Sequence, residues 1–279
     1  MQGDPSDAPA PLAIVAGSGD IPFALAETLA GEGKPVVIFP IIGAADEGRL
    51  AGFRHHWVGL GQLGRFMRLA RAEGCREIVF IGGLKRPRWW ALRLDFAGVM
   101  YLPRIIAALR GGDDHLLRNI GRIFEDEGFV LRGAHEFAPQ VVMPAGVLTA
   151  RQPSQADYSD IALGLRRLHA NGPFDLGQAV VVASGEVLGL EGADGTDALL
   201  RRARRSGTPA GVLVKAPKPA QDRRYDLPAI GPTTVAGVVD AGLSGIAVVA
   251  GGGVVAESAR MIEAANLAGI FIVGVRDES

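Results

Sequence analysis

The stretch Leu12-Ala-Ile-Val-Ala-Gly-Ser-Gly-Asp-Ile-Pro22 predicts the fold class of this protein. Its first five residues are an apolar run typical of a buried strand, and a helical apolar period follows to about Gly31. A second apolar run, Val36-Val-Ile-Phe39, completes a β-α-β unit within about thirty residues. Because such units build parallel sheets, we predict an α/β protein that begins with a Rossmann-like parallel sheet.

The turn of this unit is formed by Gly17, Ser18 and Gly19. Glycines permit a tight turn, and amides at a helix N-terminus bind anions, so the turn is a candidate phosphate or nucleotide site. A purely structural turn is the alternative. Dinucleotide-binding turns have a third glycine, where this chain has Pro22, and an acid after the second strand, where it has Phe39-Pro40. A nicotinamide cofactor is therefore not expected.

Charged residues accompany two further predicted elements of the first half. The strand Glu77–Ile81 is followed by two glycines and then Lys85 and Arg86 after one leucine. Open α/β sheets bind ligands beyond the carboxyl ends of their strands, so both cations are predicted ligand contacts, with a solvated loop as the alternative. Asp113 and Asp114 begin a later helix. Capping needs one of them, which leaves the other for a metal or a substrate hydroxyl.

Between these elements, residues 87–109 combine tryptophans, arginines and aliphatic side chains. Two interpretations of this segment stay open. It is a helix with a broad face in the core, or it is an apolar surface for acyl chains or a membrane interface, with its arginines at headgroup level.

The second half predicts another set of strands and helices. Two apolar runs around Ser184-Gly185-Glu186 predict a hairpin. Thr196 and Asp197 begin a basic helix, where they serve as caps or as ligands. The valines at 254–255 follow a glycine turn and are expected to extend an antiparallel pair.

Domain boundaries are placed where the α/β pattern weakens, between 135 and 150. We predict two mixed α/β domains joined by a linker. The first is the Rossmann-like domain at 1–140, and the second is a domain at 145–279 with a smaller mixed sheet and helices.

The loop at 215–232 reads Lys-Ala-Pro-Lys-Pro-Ala-Gln-Asp-Arg-Arg-Tyr-Asp-Leu-Pro-Ala-Ile-Gly-Pro and follows a short apolar strand. Its prolines predict a stiffened loop. Its cations suit phosphate oxygens, and its carboxylates suit Mg²⁺ or the orientation of a water, as phosphoryl chemistry requires; these residues are Lys215, Lys218, Arg224, Asp222 and Asp226. A solvated, proline-rich linker is the alternative on residue types alone.

Composition excludes several classes of protein. A formal net charge of −1 argues against a dedicated nucleic-acid binder. The one cysteine cannot form an intramolecular disulfide and fits a reducing compartment. No apolar signal region is seen near the start, and no apolar run approaches the roughly 20 residues of a membrane helix. We expect a cytoplasmic protein, with peripheral membrane contact and the oligomeric state left open.

Several motifs occur in an order that resembles the LpxI family, the UDP-2,3-diacylglucosamine pyrophosphatases of Gram-negative lipid A synthesis. The resemblance runs from Leu12 to about Val275. The motifs that carry it are Ile-Val-Ala-Gly-Ser-Gly at 14–19, Gly-Asp-Asp-x-Leu-Leu-Arg at 112–118, Glu-Gly-Phe and Gly-Ala-His-Glu within 127–136, Gly-Thr-Asp-Ala at 195–198, Lys-Ala-Pro-Lys-Pro at 215–219 and Asp-Leu-Pro-x-Ile-Gly at 226–231.

This resemblance implies Mg²⁺-dependent hydrolysis of a glycolipid pyrophosphate to UMP and 2,3-diacylglucosamine 1-phosphate (lipid X), with the substrate held between the two domains. It implies that Asp226 is the essential acid and a metal ligand, and that water attacks the phosphorus nearer the sugar. Asp222 is a second candidate acid, and Lys215 and Lys218 offset phosphate charge. The alternative is a non-catalytic protein that binds the glycolipid or a nucleotide sugar in the same cleft.

Overall fold

A computed structural model describes residues 9–83, 93–109, 113–171, 177–192, 194–204, 206–207, 210–218, 222, 224 and 227–277. The chain divides into two compact units, Met1–Pro139 and Gln140–Ser279. Both units are α/β, as predicted. No helix among the described residues is long and apolar enough to cross a membrane.

The first unit contains a parallel four-stranded sheet of order β2-β1-β3-β4, which confirms the predicted Rossmann-like sheet. Its strands are β1 (Leu12–Ala16), β2 (Val36–Pro40), β3 (Glu77–Ile81) and β4 (Val130–Leu131). Its described helices are α1 (Ile21–Gly31), α2 (Leu63–Ala72), α3 (Phe96–Met100), α4 (Leu102–Leu109), α5 (Asp113–Asp126) and α6 (Ala134–Phe137).

The core of this unit follows from the apolar patterns of its elements. All five residues of β1 are buried, as expected of a central strand covered on both faces. Helix α2 buries one stripe of side chains against the sheet. In that stripe Phe66 meets Phe39 edge-on at 4.8 Å between ring centroids and Phe124 at 5.1 Å. These rings join the second strand to helices α2 and α5.

The second unit contains a mixed sheet of order β5-β12-β10-β8-β6-β7, in which β8, β10 and β12 are parallel. Its strands are β5 (Gly146–Val147), β6 (Ala179–Ala183), β7 (Glu186–Leu190), β8 (Val212–Lys215), β10 (Gly245–Val249) and β12 (Phe271–Val275). Its described helices are α7 (Gln155–Asn171), α8 (Gly195–Arg202), α9 (Pro232–Asp240) and α10 (Ser258–Ala268). The sheet has six strands, so the expectation of a smaller second sheet was wrong for the described residues.

The mixed sheet separates two apolar clusters. Helix α7 covers one face, where Ile161 packs with Val212 and Val214. Helices α8, α9 and α10 cover the other face, where Leu199 packs with Leu213. Side chains alternate between the faces of a strand, so Lys215, two residues after Leu213, points to the side of α8, α9 and α10.

The hairpin prediction is confirmed by the antiparallel pair of β6 and β7. Its two turn residues, Ser184 and Gly185, have φ of 55° and 77°, the left-handed conformation of a tight hairpin turn. Their amides donate to the buried carboxylate of Asp160 at 3.0 and 2.7 Å. Helix α7 therefore holds the turn of the hairpin in place.

The prediction for residues 254–255 was wrong. They form β11 (Val254–Val255), which pairs in parallel with β9 (Ala229–Ile230) in a separate two-stranded ladder. A Cβ on Gly252 would lie 2.9 Å from Pro217, and one on Gly253 would lie 3.1 Å from the carbonyl oxygen of Pro228. The glycines therefore bring the chain against the 215–232 loop, where it pairs with β9.

Candidate active site

The ammonium of Lys215 lies at the carboxyl end of β8 and is buried, with 6% of the residue exposed. Its Nζ donates to the hydroxyl of Thr196 and to the carbonyl oxygen of Ala229, both at 3.0 Å. A buried ammonium needs such acceptors because desolvation disfavours its charge. The structure thus brings together two residues predicted separately, Lys215 and Thr196.

Glu191 completes this arrangement and was missed from the sequence. The hydroxyl of Thr196 donates to Glu191 Oε1 at 2.5 Å, and the backbone amide of Gln178 donates to Glu191 Oε2 at 2.7 Å. The sequence signal that could have identified Glu191 is its position as an acid directly after the apolar run of β7. Glu191, Thr196 and Lys215 form a continuous hydrogen-bonded chain, called here the Lys215 cluster.

The cap interpretation of Thr196 and Asp197 is not confirmed. Asp194 occupies the N-cap of α8, so both residues lie in the first turn of the helix. Thr196 joins the Lys215 cluster. Asp197 is exposed and lines a groove of about 410 Å³ between α8 and α9, together with Arg201 and Asp240. Thr196 therefore faces the Lys215 cluster, whereas Asp197 faces the groove between α8 and α9.

In the 215–232 loop, Asp222 and Arg224 form a bidentate ion pair. Arg224 donates to Asp222 from Nε at 3.0 Å and from Nη2 at 2.7 Å, and its backbone amide adds a third bond at 3.1 Å. A carboxylate engaged on both oxygens by a guanidinium is a poor free base. Lys218 is partly exposed. Asp226 lies outside the described residues.

In the first unit, the Gly17–Gly19 turn is tied to the chain that follows β3. Ser18 and Gly83 exchange backbone hydrogen bonds of 2.8 and 2.9 Å, and the amide of Gly17 donates to Ile81. A Cβ on Gly17 would lie 2.5 Å from the carbonyl oxygen of Gly83, so only glycine fits there. This contact explains Gly17 structurally, and the anion-binding role of the turn stays a prediction.

The remaining predicted contacts of the first unit are described only in part. Lys85 and Arg86 lie outside the described residues. Asp113 and Asp114 are in the first turn of α5, and their side chains are outside the described set. None of these four predictions is tested by the structure.

Helices α3 and α4 expose a group of large apolar side chains, called here the α3–α4 patch. Its members are Phe96 (86% exposed), Met100 (56%), Val99 (55%) and Ile106 (42%). Only Gly98 of α3 is buried, so this helix does not have the broad core face of one interpretation. Ile105 of α4 is buried, so the described part of this segment has both exposed and buried apolar side chains, and its contact with acyl chains or a membrane stays a prediction.

A groove of about 630 Å³ lies on the α7 face of the mixed sheet, lined by Val147, Ile161, Leu165 and Val273 among others. Ile161 and Val273 belong to the cluster that contains Val214, on the face opposite Lys215. The sheet therefore separates this groove from the Lys215 cluster.

Comparisons with known proteins cover both units. Residues 11–141 match the model of the LpxI N-terminal domain, and residues 144–273 match that of the LpxI C-terminal domain. The chain is also 38% identical over 272 residues to the UDP-2,3-diacylglucosamine pyrophosphatase LpxI of Caulobacter vibrioides. That alignment spans 95% of this chain and 97% of the relative. The chain therefore belongs to the LpxI family, as the order of its motifs predicted.

Proposed function

We propose that this protein hydrolyses the pyrophosphate of UDP-2,3-diacylglucosamine to UMP and 2,3-diacylglucosamine 1-phosphate. The observation that carries the proposal is the match over 97% of the length of a relative named for that substrate. The Lys215 cluster adds physical support, because a pyrophosphate substrate requires fixed cations inside the protein.

The chemistry divides between charge neutralisation and the placement of water. Transfer of a phosphoryl group to water needs stabilisation of negative charge and an in-line nucleophile rather than a covalent intermediate. We assign the first task to Lys215, whose ammonium is buried and anchored, with Lys218 as a second cation. We assign the orientation of water to Asp226. Asp222 is the weaker candidate because Arg224 engages both its oxygens.

A requirement for Mg²⁺ is a separate proposal. Among the described residues, no three His, Cys, Asp or Glu side chains come together as a metal site. The acids described in the 215–232 loop and the Lys215 cluster are already engaged, Asp222 by Arg224 and Glu191 by Thr196. These residues do not fit the ion by themselves. The proposal of a metal therefore depends on Asp226.

We also propose that residues of both units bind one substrate molecule. Groups suited to anions occur in each half of the sequence, Lys85 and Arg86 in the first and Lys215 and Lys218 in the second. Lys85→Met should then raise the KM for the glycolipid by about tenfold, the loss of one cationic contact. An unchanged KM in both Lys85→Met and Arg86→Met would count against a contribution from this part of the first unit.

The α3–α4 patch supports peripheral contact with an anionic lipid surface. Phe96 and Met100 offer apolar side chains, and the exposed Arg93 adds positive charge beside them, whereas the exposed Arg104 is ion-paired with Asp126. Phe96→Ser should reduce co-sedimentation with vesicles containing phosphatidylglycerol. Leu267→Ser is the matched control, since Leu267 is 84% exposed on α10. Equal loss in both variants would remove the patch as a specific contact.

The direct test of hydrolysis is incubation of the purified protein with UDP-2,3-diacylglucosamine, with Mg²⁺ or with a chelator. Release of UMP and the sugar phosphate in equal amounts, abolished by the chelator, is the expected result. A protein that binds the glycolipid and leaves it intact with Mg²⁺ present would instead be a non-catalytic binding protein.

A further inference from the structure

We propose that Glu191 is a positioning residue that fixes, through Thr196, where the ammonium of Lys215 lies. This inference rests on the proposed function, because it assigns Glu191 to the reaction through Lys215. Glu191 is 24 residues from Lys215 in the chain, and Thr196 stands between them in space.

The direction of the hydrogen bonds follows from the chemistry of the three groups. An ionised carboxylate only accepts, so the hydroxyl of Thr196 gives its one proton to Glu191 Oε1. The lone pairs of that hydroxyl are then the only groups it can present to Lys215, whose ammonium only donates. By accepting the hydroxyl proton, Glu191 fixes the orientation of the hydroxyl whose lone pair accepts from Lys215.

The backbone around Glu191 is shaped to admit its side chain. The amide of Glu191 donates to Ala179 at 2.8 Å, and its carbonyl accepts from Gly177 at 3.2 Å. A Cβ on Gly177 would lie 2.5 Å from the Cβ of Glu191 and 2.7 Å from its Cγ. Only glycine at 177 leaves this space. A substitution at Gly177 should therefore displace the side chain of Glu191 without changing its chemistry.

Glutamine cannot replace Glu191 in this arrangement. Both carboxylate oxygens accept, one from Thr196 and one from the amide of Gln178, whereas glutamine has one acceptor oxygen. If its NH₂ group faces Gln178, two donors oppose each other. If it faces Thr196, the hydroxyl must accept from this NH₂ group as well as from Lys215, and the hydroxyl proton loses the acceptor that Glu191 supplied. Each orientation breaks one link.

The kinetic test compares Glu191→Gln, Gly177→Ala and Thr196→Val with Thr196→Ser, which keeps the hydroxyl. We expect kcat to fall about 100-fold in the first three, the effect of misplacing a catalytic group by about 1 Å. KM should change little, and Thr196→Ser should retain most of the activity. Thr149→Val and Gly31→Ala are the controls. Thr149 is a buried, hydrogen-bonded threonine of the same unit, and a Cβ on Gly31 meets nothing within 4 Å.

A spectroscopic arm separates this inference from the proposed function. The Nζ resonance of Lys215 in ¹H–¹⁵N spectra, assigned by its loss in Lys215→Met, should shift or broaden in Glu191→Gln and stay unchanged in Thr149→Val. An unchanged resonance in Glu191→Gln overturns the inference whether or not the wild type hydrolyses the glycolipid. So does wild-type kcat in Glu191→Gln, or an equal loss in Thr196→Ser and Thr196→Val. A wild type that releases no UMP overturns the proposed function and leaves the resonance to decide the role of Glu191.

Discussion

At the scale of single residues, the charge of Lys215 is the feature on which the proposed chemistry depends. Lys215→Met keeps most of the side-chain volume and removes the ammonium that Thr196 and Ala229 hold. We expect kcat/KM for UMP release to fall about 100- to 1000-fold, as for the loss of one preorganised donor in a buried site. Lys215→Arg should not restore activity, because a planar guanidinium does not reproduce the compact point charge of an ammonium. Near-wild-type turnover in Lys215→Met would exclude Lys215 from the reaction.

Burial lowers the reactivity of the Cys75 thiol. The residue is 3% exposed, and its burial, with a smaller contribution from the Glu73 carboxylate, raises the pKa of the thiol to about 11. Because this pKa is well above 8, the thiol is almost fully protonated in the folded protein at pH 8. The thiolate is the nucleophile, so the folded protein should react slowly at Cys75. We expect a thiol-disulfide reagent to label Cys75 slowly in buffer and rapidly in guanidinium chloride. Equal labelling rates in the two solvents would contradict the buried placement.

At the scale of elements, the β6–β7 hairpin depends on a residue from another element. Asp160 of α7 accepts from both turn amides, and Asp160→Ala would leave them without this acceptor. We expect a loss of about 1–3 kcal/mol in the free energy of unfolding, measured by urea denaturation. Asp240→Ala, an exposed acid at the end of α9, should change it by less than about 0.5 kcal/mol. A loss no greater than that of the control would show that the turn is stable without α7.

Secondary-structure elements that depend on local sequence were predictable, whereas those that depend on distant residues were not. The hairpin was predictable because a Ser-Gly pair between two apolar runs is a local signal. The parallel pairing of β9 with β11 was not predictable, because the two short strands are far apart in the chain. They pair because the 215–232 loop lies beside the glycines at 251–253. Glu191 was missed for the same reason. Glu191 is linked to Lys215 through Thr196, and these three residues come together only in the folded structure.

At the scale of the whole molecule, two α/β units in sequence match the two domain models of the family in order. The fold class was predictable from the β-α-β pattern near the start and from the alternation of elements after residue 150. The number of strands in the second sheet was not, because it depends on how the strands of a long segment are ordered in space. The role of Asp226 likewise stays a prediction.

Hydrolysis in ¹⁸O-enriched water is the measurement that tests the central claim most directly. The wild type should convert UDP-2,3-diacylglucosamine to two products with one ¹⁸O in the phosphate of the sugar product and none in UMP. Asp226→Ala should fold with an unchanged far-ultraviolet circular dichroism spectrum and incorporate no label. Label in UMP alone would still show hydrolysis, but with water attacking the phosphorus nearer the uridine. Intact, unlabelled substrate after incubation of the folded wild type with Mg²⁺ would contradict the account.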